Sequence, residues 1–129
     1  MLNNKGQTLA LFVIVLPVLL LLLVLVIDVG KMIVLKLELN NISKIVLDYG
    51  LDNLDKENIK DELINLVNLN SDEIDKVNIK IENDKIYLDL VAFGEGLFSG
   101  MIDVSAFTVE SNYIGYVIDG EKRIERMGD

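Results

Sequence analysis

Apolar and polar positions divide the chain into a uniformly apolar run, an amphipathic stretch and a region of period-two alternation. The first of these, from Leu9 to Ile27, contains only apolar residues, counting Pro17, and no charge lies between Lys5 and Asp28. Its 19 residues make about 28 Å of helix, close to the roughly 30 Å hydrocarbon core of a bilayer. Membrane helices tolerate a proline because neighbouring groups satisfy the freed carbonyl. The run therefore predicts a transmembrane helix.

A second helical pattern, apolar on one side only, follows Asp28. Its apolar positions step by four, three, four and three residues, and they are Leu35, Leu39, Ile42, Val46 and Tyr49. This spacing is typical of an amphipathic helix, and Gly50 follows where a helix-ending residue with positive φ is expected. Asp28 and Gly30 mark a helix boundary at which the helix can bend, although neither residue obliges it to end. The prediction is one helix over residues 7–50.

A shorter helix is predicted next, at the start of a domain over residues 51–129. Asp55 is a reasonable N-cap for it. Its apolar residues recur at helical spacing and predict a buried stripe of Ile59, Leu63, Leu66 and Val67.

From Lys76 onward the period changes to two, which indicates β-strands. Asn83-Asp84 and Asp119-Gly120 are residue pairs that favour two-residue hairpin turns. Further strands are expected over 101–110, 112–118 and 121–126, with a flexible connection over 93–100. The predicted fold class is α+β: a long N-terminal transmembrane-plus-amphipathic helix, a short second helix and a small antiparallel β-sheet.

The charge of the chain is concentrated after the apolar run. All 21 acidic residues and all but one of the 12 basic residues lie from Asp28 onward. Nucleic acid would repel such an acidic domain, so no nucleic-acid partner is expected, whereas membrane lipid is a partner of the apolar helix. Lys5 on one side and Lys31 and Lys36 on the other leave the orientation undecided by the positive-inside rule.

The composition also argues against catalysis. The chain has no histidine and no cysteine, which removes the commonest general bases, nucleophiles and transition-metal ligands. The glycine-rich stretch at 93–100 precedes a strand rather than a helix, so it does not predict a phosphate-binding loop. We therefore predict no enzyme, no catalytic residue, no metal, no cofactor and no small-molecule substrate.

Four features in order resemble the TadE-like pseudopilins of tight-adherence (Flp) pilus systems, a type IV pilin-like group. They are "KGQ" at 5–7, Phe12, Leu-Pro ending at Pro17, and "IDVGK" at 27–31. The resemblance implies that prepilin peptidase cuts between Gly6 and Gln7, after the leader charge Lys5. It also implies a cytoplasmic leader of residues 1–6, an extracytoplasmic domain of residues 51–129, and partnership with other pilins or pilus-assembly membrane proteins.

One position departs from the family pattern. Leu11 stands where a glutamate is expected, five residues after the cut, although the following aromatic is present as Phe12. In polymerising pilins that carboxylate is thought to pair with the amino terminus of a neighbouring subunit, so a minor or assembly subunit is expected here. Two alternatives stay open: an uncleaved, signal-anchored extracytoplasmic binding module, and, least favoured, a membrane-bound enzyme.

Overall fold

Two helices and a four-stranded sheet follow one another along the chain. The computed structural model describes residues 4–94 and 107–127. The elements are α1 (Asn4–Asp52), α2 (Ile59–Asn70), β1 (Lys76–Glu82), β2 (Lys85–Gly94), β3 (Phe107–Ile118) and β4 (Glu121–Arg126). The strands pair antiparallel in the order β1-β2-β3-β4, each next to its neighbour in sequence. The predicted α+β fold is confirmed.

Helix α1 runs unbroken past the position where it was expected to end. It includes Pro17 and stops at Asp52, two residues after Gly50. The predicted helix-ending role of Gly50 is wrong, because this residue is buried within the helix. A Cβ added there would lie 2.7 Å from Ile86 Cδ1 and 3.2 Å from Leu63 Cδ1. Glycine at this position lets β2 and α2 pack closely against α1.

One face of the sheet packs against α2 and the second half of α1 to form the core. The predicted stripes of both helices are confirmed except at two positions, and the buried apolar residues are Leu35, Leu39, Ile42, Val46, Leu47, Leu51, Ile59, Leu63, Val67, Ile79, Ile86, Leu88, Leu90, Ala92, Val109 and Tyr113. The exceptions are Leu66, which is only partly buried against the core, and Tyr49, which is 36% exposed. A four-three repeat drifts by about 20° every seven residues in a straight helix, so Leu47 and Gly50 take the inward positions instead.

The predicted N-cap of α2 is also wrong. The helix begins at Ile59, and its N-cap position is Asn58, whose side chain makes no capping hydrogen bond. Asp55 lies in the turns that connect α1 with α2, where the Lys56 N–H donates to the Asn53 carbonyl at 3.1 Å. The connecting turns continue up to α2, and Ile59 is the first buried residue after them.

Both predicted hairpin turns are confirmed. Asn83 and Asp84 have φ of 52° and 61°, and Asp119 and Gly120 have φ of 52° and 80°, as turns of the mirror-image type require. β3 is one continuous strand over Phe107–Ile118, whereas the sequence predicted a break near residue 111. The first six residues of the strand predicted over 101–110 and most of the predicted connection over 93–100 lie outside the described residues.

Candidate membrane anchor and processing site

The first half of α1 presents apolar side chains on all sides. Leu9 is 65% exposed and Val26 is 68% exposed, and the most apolar 18-residue window of the helix contains no buried residue. Such a surface is unfavourable in water, whereas a bilayer accepts a helix because its backbone hydrogen bonds are internal. Among the described residues, α1 is the helix that is long and apolar enough to cross a membrane. It fits a single-pass membrane anchor.

The change from exposed anchor to packed helix occurs at Asp28. This residue is only 9% exposed, and the buried stripe that meets the sheet follows from Leu35. The helix does not break at Asp28 or at Gly30. No atom lies within 4 Å of a Cβ added at Gly30, so none of the described contacts requires glycine there. Bending at Gly30 stays a prediction.

The predicted processing site lies in the first turns of α1. Lys5, Gly6 and Gln7 are all helical and exposed, and the helix begins at Asn4, three residues earlier than predicted. The Thr8 hydroxyl donates to the Asn4 carbonyl at 2.7 Å. Glycine costs about 1 kcal/mol relative to alanine in a helix. Gly6 therefore lowers the cost of unwinding the helix locally into the extended form that a protease needs.

The other predicted motif positions lie along the exposed half of the same helix. Leu11 and Phe12 are exposed, as are the leucines that follow Pro17. The structure thus places the leader charge, the cleavage peptide and the apolar motif residues on one helix, in a segment where none of residues 4–27 is buried. Lys5 and Phe12 line a shallow surface depression, but Gly6, Leu11 and Pro17 do not line it.

A buried polar contact that sequence reasoning missed holds α1 against the sheet. The oxygens of Ser43 and Ser111 lie 3.1 Å apart, and the Ser111 hydroxyl donates to Asn40 Oδ1 at 2.8 Å. Both serines are completely buried. The only sequence signal was a serine directly beside the apolar stripe of α1, and its partner lies in a distant strand. This contact links α1 to β3 by a buried hydrogen bond within the apolar interface.

Two lysines from outside α1 lie near its C-terminal end, where the helix dipole favours cations. Lys122 of β4 lies 2.8 Å from Asp48 and 3.0 Å from Asp52, and its hydrogen bonds to these carboxylates raise its pKa. Lys56 donates to the Tyr49 hydroxyl at 3.3 Å, and this bond together with Glu62 raises the pKa of Lys56. Both lysines are exposed, so they contribute positioning of the chain more than stability.

Asp89, on the outward face of the sheet, also has a shifted pKa. Burial, and then the Glu110 carboxylate, raise the pKa of Asp89. No cluster of three or more side chains able to hold a metal ion occurs in residues 4–94 and 107–127.

These features define a single-pass anchored helix that carries a small α+β head. The family model described as TadE-like protein matches residues 6–43. That span covers Gly6, the exposed half of α1 and the first part of its buried stripe, so this segment of the chain is similar to TadE-like proteins and the predicted resemblance is confirmed. No curated protein and no solved structure gives a significant match.

Proposed function

We propose that the protein is a membrane-anchored pseudopilin that serves as a minor or assembly component of a tight-adherence pilus. The observation that carries this proposal is the coincidence of the TadE-like match over residues 6–43 with the exposed half of α1. The α+β head is the part available to other components. The leucine-rich surface of the anchor would pack against the transmembrane helices of pilins or assembly proteins.

The proposed processing event is a cut between Gly6 and Gln7 by prepilin peptidase on the cytoplasmic side. Two properties of the site support it: the peptide is exposed, and Gly6 lowers the local cost of unwinding the helix. A glycine before the cut has no side chain to obstruct a protease cleft. The cut would leave the apolar helix attached to the head, which would face the outside.

The role as a minor subunit rests on Leu11. Its side chain is apolar and exposed on the anchor, so it offers no carboxylate to a neighbouring amino terminus. A buried charge pair of that kind helps to fix register between subunits. Without it, we expect the protein to join an assembly that other subunits build.

The first experiment is the intact mass of the membrane-extracted protein, with and without a co-expressed prepilin peptidase. We expect loss of residues 1–6 only when the peptidase is present. Gly6→Val should block the cut, whereas Gly30→Val, the matched change farther along the same helix, should leave it intact. A full-length mass in both conditions would contradict the proposal and favour the uncleaved, signal-anchored binding module.

Orientation is tested separately, because the chain has no cysteine of its own. Lys80→Cys on the exposed face of β1 should react with a membrane-impermeant maleimide in intact cells. Asn4→Cys, measured without the peptidase, should react only after permeabilisation. The opposite labelling pattern would place the head in the cytoplasm and contradict the proposal.

A further inference from the structure

Within residues 4–94 and 107–127, the N-terminal part of β3 has an edge that no strand covers. β4 pairs with β3 only from Tyr113 to Ile118, and the Met127 N–H extends the ladder by one bond, to the Asn112 carbonyl. Among the described residues, no strand pairs with Thr108–Ser111 on the side away from β2. The backbone groups of alternate residues in a strand face the same side. Because the Asn112 carbonyl faces away from β2, the N–H and C=O groups of Thr108 and Glu110 also face this side.

A lysine occupies part of this edge. The ammonium group of Lys36 in α1 donates a hydrogen bond to the Glu110 carbonyl. An uncovered strand edge presents unpaired backbone groups that other chains can pair with. A side chain can satisfy one carbonyl of such an edge, but it cannot supply both the donors and the acceptors of a neighbouring strand.

The same edge borders an apolar groove. Val29, Ile33 and Leu37 of α1 form one wall, and Thr108, Val109 and Glu110 of β3 form the other. The three α1 side chains are largely exposed. We call this feature the edge groove. A strand laid along β3 there would point alternate side chains at the α1 wall.

The charge beside the edge groove limits what such a strand can be. Glu110 points to the outward face, diagonal to Asp89, since Glu110 pairs with Val91 and Asp89 pairs with Asn112. The raised pKa of Asp89 reflects burial and the proximity of this second carboxylate. A residue opposite Glu110 therefore gains from a positive charge, and the formal net charge of −9 attracts basic segments over a longer range.

We propose that the edge groove binds an extended segment of a partner protein as an added antiparallel β-strand. Its alternate residues are apolar, facing Ile33 and Leu37, and basic, with one opposite Glu110. The backbone of the segment takes over the Glu110 carbonyl from Lys36. The proposal goes beyond the proposed function, because it names the chemistry of a segment that the head recognises just above the anchor.

The test uses the full chain in detergent micelles and a synthetic seven-residue peptide that alternates lysine and valine. We expect saturable binding and slowed hydrogen exchange at the Thr108 and Glu110 amides. The same peptide with N-methylated lysine backbone amides keeps its charge and apolar surface but lacks the N–H donors that face β3, and it should bind at least about tenfold more weakly. Equal binding of both peptides would overturn the proposal.

Two pairs of variants locate the site. Ile33→Asp should weaken binding about tenfold or more, whereas Ile45→Asp should not, although the two isoleucines are 55% and 52% exposed on the same helix. Glu110→Lys should weaken binding, whereas Glu125→Lys on β4 should have little effect. Equal effects within either pair, or protection at β1 instead of β3, would overturn the proposal. Prepilin peptidase takes no part in this test, so its outcome is independent of whether the leader is cleaved.

Discussion

Replacing Ser111 with alanine removes a hydroxyl that has two partners in the interface between α1 and β3. Because Ser111 donates to Asn40, the bond between the two serines has Ser43 as its donor. Ser111→Ala therefore leaves the Ser43 O–H without its acceptor in the interior, which costs about 1–3 kcal/mol. Ser43→Ala removes one donor while Ser111 keeps its bond to Asn40, which costs about 0.5–1.5 kcal/mol.

The position of Ser43 narrows the range of unfolding free energy that each alanine substitution is expected to cost. A serine within a helix can turn to donate to the carbonyl four residues earlier, here that of Leu39. This places Ser111→Ala in the lower part of its range, at about 1–2 kcal/mol. The double variant removes the stranded donor, and the half-buried Asn40 side chain can reach water. Its cost should therefore fall below the sum of the single costs by about 0.5–1 kcal/mol.

The measurement is the free energy of unfolding of the head, obtained from hydrogen exchange of core amides in the full chain in micelles. Thermal unfolding should follow, at about 4–8 °C per kcal/mol for a domain of this size. The asymmetry between the two serines is the decisive result. A cost for Ser43→Ala as large as that for Ser111→Ala, or strictly additive costs, would refute the assignment of donors and acceptors.

Three other changes test contacts elsewhere in the chain. Gly50→Ala gains about 1 kcal/mol of helix propensity but overpacks the core beside Ile86 by about 1–3 kcal/mol, so head stability measured by the same hydrogen exchange should not rise. Gly30→Ala, in open space, should stabilise the helix by about 0.5–1 kcal/mol, and equal effects at both glycines would contradict the packing at Gly50. Lys122→Gln should speed hydrogen exchange in β4, and high salt should do the same to the wild type; a salt-insensitive rate would count against the ion pairs. The native state binds the Asp89 proton more tightly than the unfolded state, so Asp89 makes stability fall as pH rises from about 3.8. Asp89→Asn should remove this slope and stabilise the head slightly at pH 7, and an unchanged pH profile would refute the shift.

The sequence predicted those elements whose signal is local. Helical and strand periodicities fixed the order of the elements, and the residue pairs at Asn83 and Asp119 gave both hairpin turns. The break predicted in β3 was wrong because Ser111 interrupts the apolar alternation. Its inward place depends on Ser43, which lies in a different element. A polar residue in a core position can be recognised only when its partner is known.

The predictions at Gly50 and Tyr49 failed for a related reason. A glycine after an apolar stripe is ordinarily a helix end, but here it accommodates Ile86 and Leu63, which arrive from other elements. At the anchor, residue types and order were sufficient, because a transmembrane segment is defined by its own composition. The edge groove was not predictable, since it depends on β4 being shorter than β3.

Because α1 continues unbroken through Asp28, the rotation of the head about the helix axis is fixed relative to the anchor. Each helical residue advances by about 1.5 Å and turns by about 100°. Inserting one residue between Ile27 and Leu35 would therefore swing the sheet by about 100° relative to the faces of the membrane segment. Inserting seven would raise it by about 10 Å and leave it only about 20° out of phase. Changes of length in this stretch therefore preserve the orientation of the head relative to the anchor only when they come close to a whole number of helical turns.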